Sequence, residues 1–198
     1  SVGAAPNAHA GVPAPQYEPL PAPQRIVDTR PNQKTVDGKN AATGRIAERG
    51  TLTVQVRGRA GVDADAVAAV LNVTAVAAAA AGHLTVYPCD QPRPDSSNVN
   101  YGQSTVDSNA VFAALDPQGR TCIYTHSAVD LVVDVNGWMP AGVFQPLSSP
   151  LRFADTRPGK TTIDGQVGDT GPVAGRTSLR VPVAGRSGVP NDATSVVL

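Results

Sequence analysis

Val67-Ala-Ala-Val-Leu-Asn-Val-Thr-Ala-Val76 is the stretch of this sequence that separates a helical from a β fold. Its alanines favour an α-helix, since alanine has the highest intrinsic helix propensity. A related stretch, Ala193-Thr-Ser-Val-Val-Leu198, carries β-branched residues where the first has alanines. Residues 71–76 also alternate apolar and polar side chains with the period of a strand. The sequence therefore predicts a β-strand here, followed by a turn or bulge over 77–81.

The two stretches belong to a longer internal repeat. Residues 19–71 recur as residues 146–198 without a gap, and every aligned pair is 127 positions apart. Self-similarity at one fixed spacing indicates a chain built from copies of a single unit. Because residues 72–145 have no second copy, we predict three parts. These are a Pro-rich linker at 1–24, a module at 25–145 and a partial repeat of the module's first half at 146–198.

Further short runs have the composition and alternation of strands, and they lie at 52–56, 84–87, 98–101, 110–115, 122–125, 129–135 and, in the second copy, 179–183. Asp116-Pro-Gln-Gly119 is a turn signature, and Asn136-Gly137 is predicted to close the last strand. Many short strands separated by turns, with no helical period, indicate an all-β fold. The prediction is an antiparallel, jelly-roll-like β-sandwich.

Charge and hydropathy exclude two classes of partner. Sixteen Lys and Arg balance sixteen Asp and Glu without forming blocks, so nucleic-acid binding is not expected. The most apolar run, 64–82, consists mainly of weakly hydrophobic alanine and is interrupted by Asp65 and Asn72. We therefore predict no membrane insertion.

The two cysteines, Cys89 and Cys122, lie in two of the strand-like runs. An even pair in such positions favours a disulfide, and a disulfide implies an oxidising, extracellular or cell-surface setting; the alternative is two free buried thiols. No Cys or His pair has zinc-ligand spacing, so we predict no metal and no cofactor. The Pro-rich segment 1–24 is typical of a linker that follows a removed signal sequence.

Five motifs together resemble a repeat module of secreted and cell-surface actinobacterial proteins. They are Arg25-x-x-Asp-Thr-Arg30, Val-Leu-Asn-Val-Thr-Ala-Val (70–76), Leu-Thr-Val-Tyr-Pro-Cys (84–89), Ser-Asn-Val-Asn-Tyr (97–101) and Asp-Leu-Val-Val-Asp-Val-Asn-Gly-Trp (130–138). The resemblance covers about 19–198. Modules of that family stand in tandem or follow catalytic domains, which implies accessory, adhesive or structural work. The resemblance supplies no catalytic residues.

The Asp-Thr-Arg motif is the sharpest local pattern and occurs in both copies. Its carboxylates and guanidiniums suit either a ligand clamp or structural ion pairs, because arginine forks bind carboxylates bidentately. Presence in both copies favours the structural reading, since a folding determinant must be repeated and a catalytic site is rarely repeated. The predicted structural ion-pair residues are Arg25, Asp28, Arg30, Arg152, Asp155 and Arg157.

Catalytic constellations are weak in this sequence. His126 and Ser127 are adjacent in a predicted turn, which does not give a nucleophile with an oriented base, and no Gly-x-Ser-x-Gly is present. Asp130 and Asp134 face one side of a strand, as in glycosidase or calcium sites, but hydrogen bonding to turns or arginines is the favoured interpretation. We predict no catalytic residues and no enzyme activity.

Aromatic side chains offer a candidate ligand-binding set, namely Trp138, Tyr101 and Tyr124, together with Asp134. Exposed aromatics on a sheet stack on sugars, whereas the alternative is core or rim packing. The leading hypothesis is a non-catalytic extracellular structural or adhesive module that self-associates with another copy of the repeat. The rival is a carbohydrate- or cell-wall-binding module that takes cell-wall glycan; a hydrolase is the third class.

The partial repeat at 146–198 needs a partner, because about 50 residues are too few for a stable core. One arrangement packs it on residues 72–145 opposite the first copy. The other lets it complete the sheet of another chain, which propagates head to tail if the rotation does not close. The sequence-based prediction favours the intermolecular arrangement.

Overall fold

The computed structural model describes residues 16–147 and 150–198, and eight β-strands form two antiparallel sheets of four strands each. The first sheet has the order β1-β8-β3-β6 and the second the order β2-β7-β4-β5. The strands are β1 (Glu18–Asp28), β2 (Thr51–Gln55), β3 (Ala66–Val76), β4 (Gly82–Pro88), β5 (Val99–Tyr101), β6 (Val106–Ala114), β7 (Arg120–Thr125) and β8 (Asp130–Pro140). The all-β antiparallel β-sandwich prediction is confirmed.

The Ala-rich stretch is β3, as the repeat predicted, and it pairs with β6 on one side and with β8 on the other. Ala69, Leu71 and Val73 are fully buried and alternate with less buried residues. Helix propensity therefore gives way to burial and to backbone hydrogen bonding on both edges, since both neighbouring strands supply partners. The turn or bulge predicted after the strand is a bend over 77–81, in which Ala77 has a φ of 50°.

The core lies between the two sheets and consists of aliphatic side chains from both. Burying each large aliphatic side chain contributes about 1.5–3 kcal/mol, so this layer is the main source of stability. The largest fully buried residues include Ile26, Val54, Leu71, Leu84, Ile123, Leu131 and Val133.

Strand β1 begins at Glu18, so the predicted linker boundary at residue 24 falls inside a strand. The prolines of this stretch are accommodated because β1 is an edge strand. The pairing register with β8 also shifts between Pro19 and Gln24, where the ladder is interrupted. The remainder of the predicted linker, residues 1–15, lies outside the described residues.

Asn136-Gly137 does not end the last strand, and that prediction is wrong. Strand β8 continues to Pro140, and its register against β3 shifts between the partners Val135 and Gly137. The dipeptide therefore lies at a β-bulge, where residues that favour turns also occur because the regular hydrogen-bond ladder is interrupted. This continuation places Trp138 within β8 rather than in a loop.

The partial repeat contains no strand within residues 150–198, so the strands predicted at 179–183 and 193–198 are not formed. The pairing of the first copy gives the reason. Strands β1, β2 and β3 pair only with strands of the unrepeated half, which are β6, β7 and β8. The partial repeat duplicates the first half of the module but not β6, β7 and β8. Its backbone therefore has no equivalent strands with which to form hydrogen bonds.

Candidate functional site

The end of β1 carries a buried carboxylate, Asp28, that two arginines bind. Arg30 donates from Nε to Oδ1 at 2.9 Å and from Nη2 to Oδ2 at 2.7 Å, while Arg25 Nη1 lies 3.2 Å from Oδ2. Burial of the Asp28 carboxylate opposes its ionisation, but the hydrogen bonds and charge of Arg30 outweigh this and hold its pKa below the ordinary value. The carboxylate is therefore ionised and fully engaged, as a structural ion pair requires.

A second arginine, Arg59, lies almost buried in the turn after β2. It contacts both carboxylate oxygens of Asp37 at 2.7 Å and donates to the carbonyls of Ile26 and Gln55 at 3.0 and 2.9 Å. The loop after β1 is thereby tied to β2. Sequence reasoning missed this pair, although Asp37 and Arg59 both recur at the repeat spacing, as Asp164 and Arg186.

The partial repeat reproduces these contacts. We use the name loop frame for the two arginine–carboxylate pairs of each copy, which are Arg30–Asp28 and Arg59–Asp37 in the first copy and Arg157–Asp155 and Arg186–Asp164 in the second. Arg157 binds Asp155 from Nε at 2.9 Å and from Nη2 at 2.6 Å, and Arg152 Nη1 lies 3.3 Å from the same carboxylate. Arg186 binds Asp164 in the same way. Hydrogen bonds from Arg157 and Arg186 lower the pKa of Asp155 and of Asp164 to about 2. The six predicted ion-pair residues therefore form two equivalent clusters.

The two copies differ where the first meets the unrepeated half. Arg25 continues to Asp134 on β8, whereas Arg152 Nη2 donates to the backbone carbonyl of Asp95 at 3.1 Å. Leu71 is fully buried in β3, but its counterpart Leu198 is 91% exposed. The loop frame is thus present in both copies, while the buried sheet surface is present in one.

The four candidate ligand-binding residues do not form one site. Tyr101 is buried, and its hydroxyl bonds Thr125 Oγ1 at 2.8 Å and the Ser127 backbone N–H at 3.1 Å. Asp134 is ion-paired with Arg25, and Trp138 packs against the core from β8. Tyr124 lies on β7 in the other sheet. A stacking platform made of all four is therefore not what the fold builds.

Ser127 and Asp130, two of the residues considered for catalysis, make structural hydrogen bonds. Ser127 Oγ donates to the carbonyl of Ala80 at 2.7 Å. Asp130 accepts a hydrogen bond from Thr29 Oγ1 at 2.9 Å and lies 3.4 Å from Arg45 Nε. Among the described residues, no group of three or more His, Cys, Asp or Glu side chains is placed to hold a metal ion.

The Cys89–Cys122 disulfide is formed, as predicted. Cys122 lies on β7, on the face turned away from the core side chain of Ile123. The bond therefore holds residues 89–98, which we call the disulfide loop, across the outer face of the second sheet. Thr85 Oγ1 donates to the carbonyl of Ser96 at 2.6 Å, which fixes the far end of this loop. Thr85 is buried on an outer face because the loop covers it.

An open pocket of about 600 Å³ lies between the disulfide loop and the sheet. His83 precedes the buried part of β4 and His126 follows β7, and their rings stack with centroids 5.2 Å apart. The guanidinium carbon of Arg93 lies 3.9 Å from the centroid of the Tyr124 ring. The complete lining is Arg49, His83, Arg93, Pro94, Asp95, Ser96, Tyr124 and His126.

Sequence reasoning considered His126 only as a catalytic base and did not single out Arg49 or Arg93. Alternation along β4 and β7 does place His83 and Tyr124 on the outer face. The sequence did not indicate that the disulfide loop places Arg93 over that face, against Tyr124.

Comparisons with protein-family models, with curated proteins and with solved structures find no match to this chain. In the part of the chain that the structure describes, no helix is both long and apolar enough to cross a bilayer.

Proposed function

We propose that this chain is a non-catalytic, extracellular structural or adhesive module that self-associates through its partial repeat. The disulfide and the sandwich suit an oxidising extracellular setting. The motifs shared with secreted actinobacterial repeat modules support the same assignment. The rest of the proposal concerns how one chain binds the next.

The observation that carries the proposal is the exposure of apolar residues in the partial repeat that correspond to β3, where Ala69 and Leu71 are fully buried. Val196, Val197 and Leu198 are 43, 49 and 91% exposed. Their counterparts belong to β3, the strand that is paired on both sides in the core sheet. Residues 193–198 therefore resemble a buried strand in sequence but have no neighbouring strands in the part of the chain that the structure describes. Burying them in an interface would remove apolar surface from water, which is favourable.

The partner that suits this segment is the open edge of β6. Within the module, β6 pairs with β3 along its inner edge, with Val70 opposite Phe112 and Leu71 opposite Val111, so β6 already accepts a strand of this sequence. Strand β6 ends its sheet, so its outer edge has no strand beside it among residues 16–147 and 150–198. An unpaired edge readily accepts a strand from another chain. Val106 and Phe112 on this edge strand are 70% and 42% exposed, which adds apolar surface for the incoming segment.

This contact is head to tail, since 193–198 of one chain binds β6 of the next and leaves one open end of each kind. Repeated addition gives a filament if the rotation does not close and a ring if it does. Both products suit a structural or adhesive role at a surface.

Sedimentation velocity on the whole chain tests the proposal across a range of concentrations. We expect species larger than a monomer, and we expect Phe112→Lys and the double variant Val196→Lys/Leu198→Lys each to be monomeric. Val36→Lys is the matched control, because Val36 is an exposed apolar residue outside both surfaces.

A mixture of the two monomeric variants is the sharper test. The Phe112→Lys chain keeps its 193–198 segment and the double variant keeps its β6 edge, so the mixture should form a dimer and stop there. A chain that stays monomeric at every concentration, or variants that associate as well as the unmodified chain, would overturn the proposal.

A further inference from the structure

The geometry points to a second function, namely an oxyanion site in the pocket under the disulfide loop that takes the carboxylate or phosphate group of a small organic ligand. The pocket has the size of a small-ligand site, whose volumes run from about 300 to 1,000 Å³. It is independent of the association surface proposed above, because none of its lining residues lies on β6 or in 193–198.

Arg93 is the principal anion ligand. Its guanidinium stacks on the ring of Tyr124, so one face is occupied while the N–H groups at its edges remain for an oxyanion. Stacking also restricts the side chain before a ligand arrives, which lowers the entropy lost on binding. Arg49 adds a second guanidinium at the pocket wall, and its contact with Glu48 is a long one of 3.9 Å between exposed groups.

The charge of the lining favours an anion even with both histidines neutral. Arg49 and Arg93 contribute two positive charges, and Asp95 is the one acidic residue that lines the pocket. Protonation of His83 and His126 would add two more. A neutral sugar would leave these cationic groups without a counter-charge, whereas an oxyanion satisfies them.

The histidine pair makes binding depend on pH. Burial lowers the pKa of His83 below its ordinary value of 6.5, the charges of His126 and Arg93 lower it further, and Asp95 opposes them. Tyr124 and Arg49 complete the set of titratable groups that surround the ring. A bound anion stabilises the protonated imidazole, so binding takes up protons. Affinity must therefore increase as the pH falls through the range in which His83 titrates.

Ser96 supplies an unused hydrogen-bond donor beside these charges. Its hydroxyl oxygen is buried in the pocket wall and has no hydrogen-bond partner among the described residues. A buried hydroxyl without a partner is unfavourable, and an anionic oxygen next to it would accept a hydrogen bond from it.

The test is a ¹H–¹³C NMR titration of the whole chain that follows the imidazole resonances of His83 and His126. The probes are sulfate, which stays doubly charged from pH 5 to 8, glucuronic acid, glycerol 1-phosphate and glucose. We expect saturable shifts with the three anions and none with glucose. Affinity for sulfate should fall at least about tenfold from pH 5.5 to 7.5, as proton uptake at His83 on anion binding predicts.

Variants locate the site. Arg93→Ala should reduce affinity at least about tenfold. His83→Gln/His126→Gln, which lacks both imidazole signals and is therefore followed by isothermal titration calorimetry, should remove the pH dependence. Ser96→Ala should weaken binding without lowering the melting temperature, since it deletes a hydroxyl that bonds nothing in the fold. Arg180→Ala is the control, because Arg180 is exposed and does not line the pocket.

Three results would overturn the inference. They are shifts with glucose as large as those with the anions, an Arg93→Ala chain that binds as well as Arg180→Ala, and binding of sulfate with no binding of glucuronic acid or glycerol 1-phosphate. The last would show a site for a free inorganic ion and not for an organic carboxylate or phosphate. The two organic probes also distinguish a carboxylate-bearing from a phosphate-bearing ligand.

Discussion

Arg25 binds both carboxylate oxygens of Asp134, from Nε to Oδ1 at 2.9 Å and from Nη2 to Oδ2 at 3.3 Å. The two residues are 109 positions apart and join β1 to β8, hence the repeated half of the module to the unrepeated half. Arg152 stands at the equivalent position of the partial repeat and binds only Asp155 and the carbonyl of Asp95. Arg25 therefore links the two halves of the module, whereas the equivalent Arg152 does not.

Alanine substitution of Arg25 and of Arg152 should therefore have different effects on the free energy of unfolding. Arg25→Ala should lower the free energy of unfolding by about 1 kcal/mol, because the pair is partly exposed and screened by solvent. Arg152→Ala should leave the unfolding of the sandwich unchanged, since its partners lie outside the two sheets. Urea denaturation followed by the fluorescence of Trp138 measures both, and equal losses would contradict the assignment of Arg25 as the link between the halves.

Gly137 is the position where β1 approaches the β8 bulge most closely. A Cβ at this residue would lie 2.6 Å from the carbonyl oxygen of Glu18 and would meet the hydroxyl of Tyr17. Gly137→Ala must therefore push β1 away from β8, and overpacking of this kind costs about 1–3 kcal/mol. Thermal unfolding should show the loss. Gly175→Ala is the control, because its Cβ would meet nothing within 4 Å, and an equal effect of both substitutions would refute the explanation.

Much of the sandwich followed from the sequence because the repeat supplied a second view of the same element. The β-branched residues of 193–198 identified β3 as a strand, even though 193–198 itself forms none in this structure. Sequence similarity shows that two segments have the same preference for β structure, but a strand forms only where a neighbouring strand supplies hydrogen-bond partners. The prediction was therefore right for β3 and wrong for 193–198 for one reason, namely the presence or absence of β6 and β8.

The ion pairs were predictable and the pocket was not. Asp28 and its arginines lie within six residues of one another, so a short motif reveals them. The pocket combines Arg49, His83, Arg93 and His126 from separate segments, and the disulfide loop brings Arg93 back over β7. Periodicity gives the face on which a strand residue lies, but it does not give the path of a loop.

Reduction of the Cys89–Cys122 disulfide should have two measurable effects. Opening this loop of 33-residue separation should lower the free energy of unfolding by about 3–4 kcal/mol, by the loop-entropy relation. It should also release Arg93 from Tyr124 and abolish sulfate binding under conditions where the sandwich stays folded. Urea denaturation with and without reductant, and the NMR titration, measure the two effects. Cys89→Ser/Cys122→Ser should be insensitive to reductant, and unchanged stability of the reduced native chain would contradict the prediction.

Acid should weaken the loop frame of both copies, because its carboxylates have depressed pKa values in the folded chain. Asp155 and Asp164 have a pKa of about 2, against an ordinary value of 3.8. A depressed folded-state pKa contributes stability that is present above the unfolded value and is lost as the pH falls through the folded value. We therefore expect full stability above about pH 4 and a progressive loss from pH 4 to 2, measured by thermal melts at each pH.

The Asp164 carboxylate isolates the cause of this pH dependence, since the largest effect on its pKa is hydrogen bonding from Arg186. Arg186→Gln removes the charge and the bidentate contact, so the pKa of Asp164 should rise from about 2 towards 3.8. Carboxyl ¹³C NMR titration of the whole chain measures the change. Arg180→Gln, at an exposed arginine that makes no ion pair among the described residues, should leave the pKa of Asp164 where it is. An Asp164 that titrates near 3.8 in the unmodified chain would contradict the ion pair as the cause, because a carboxylate held by two guanidinium N–H groups must resist protonation.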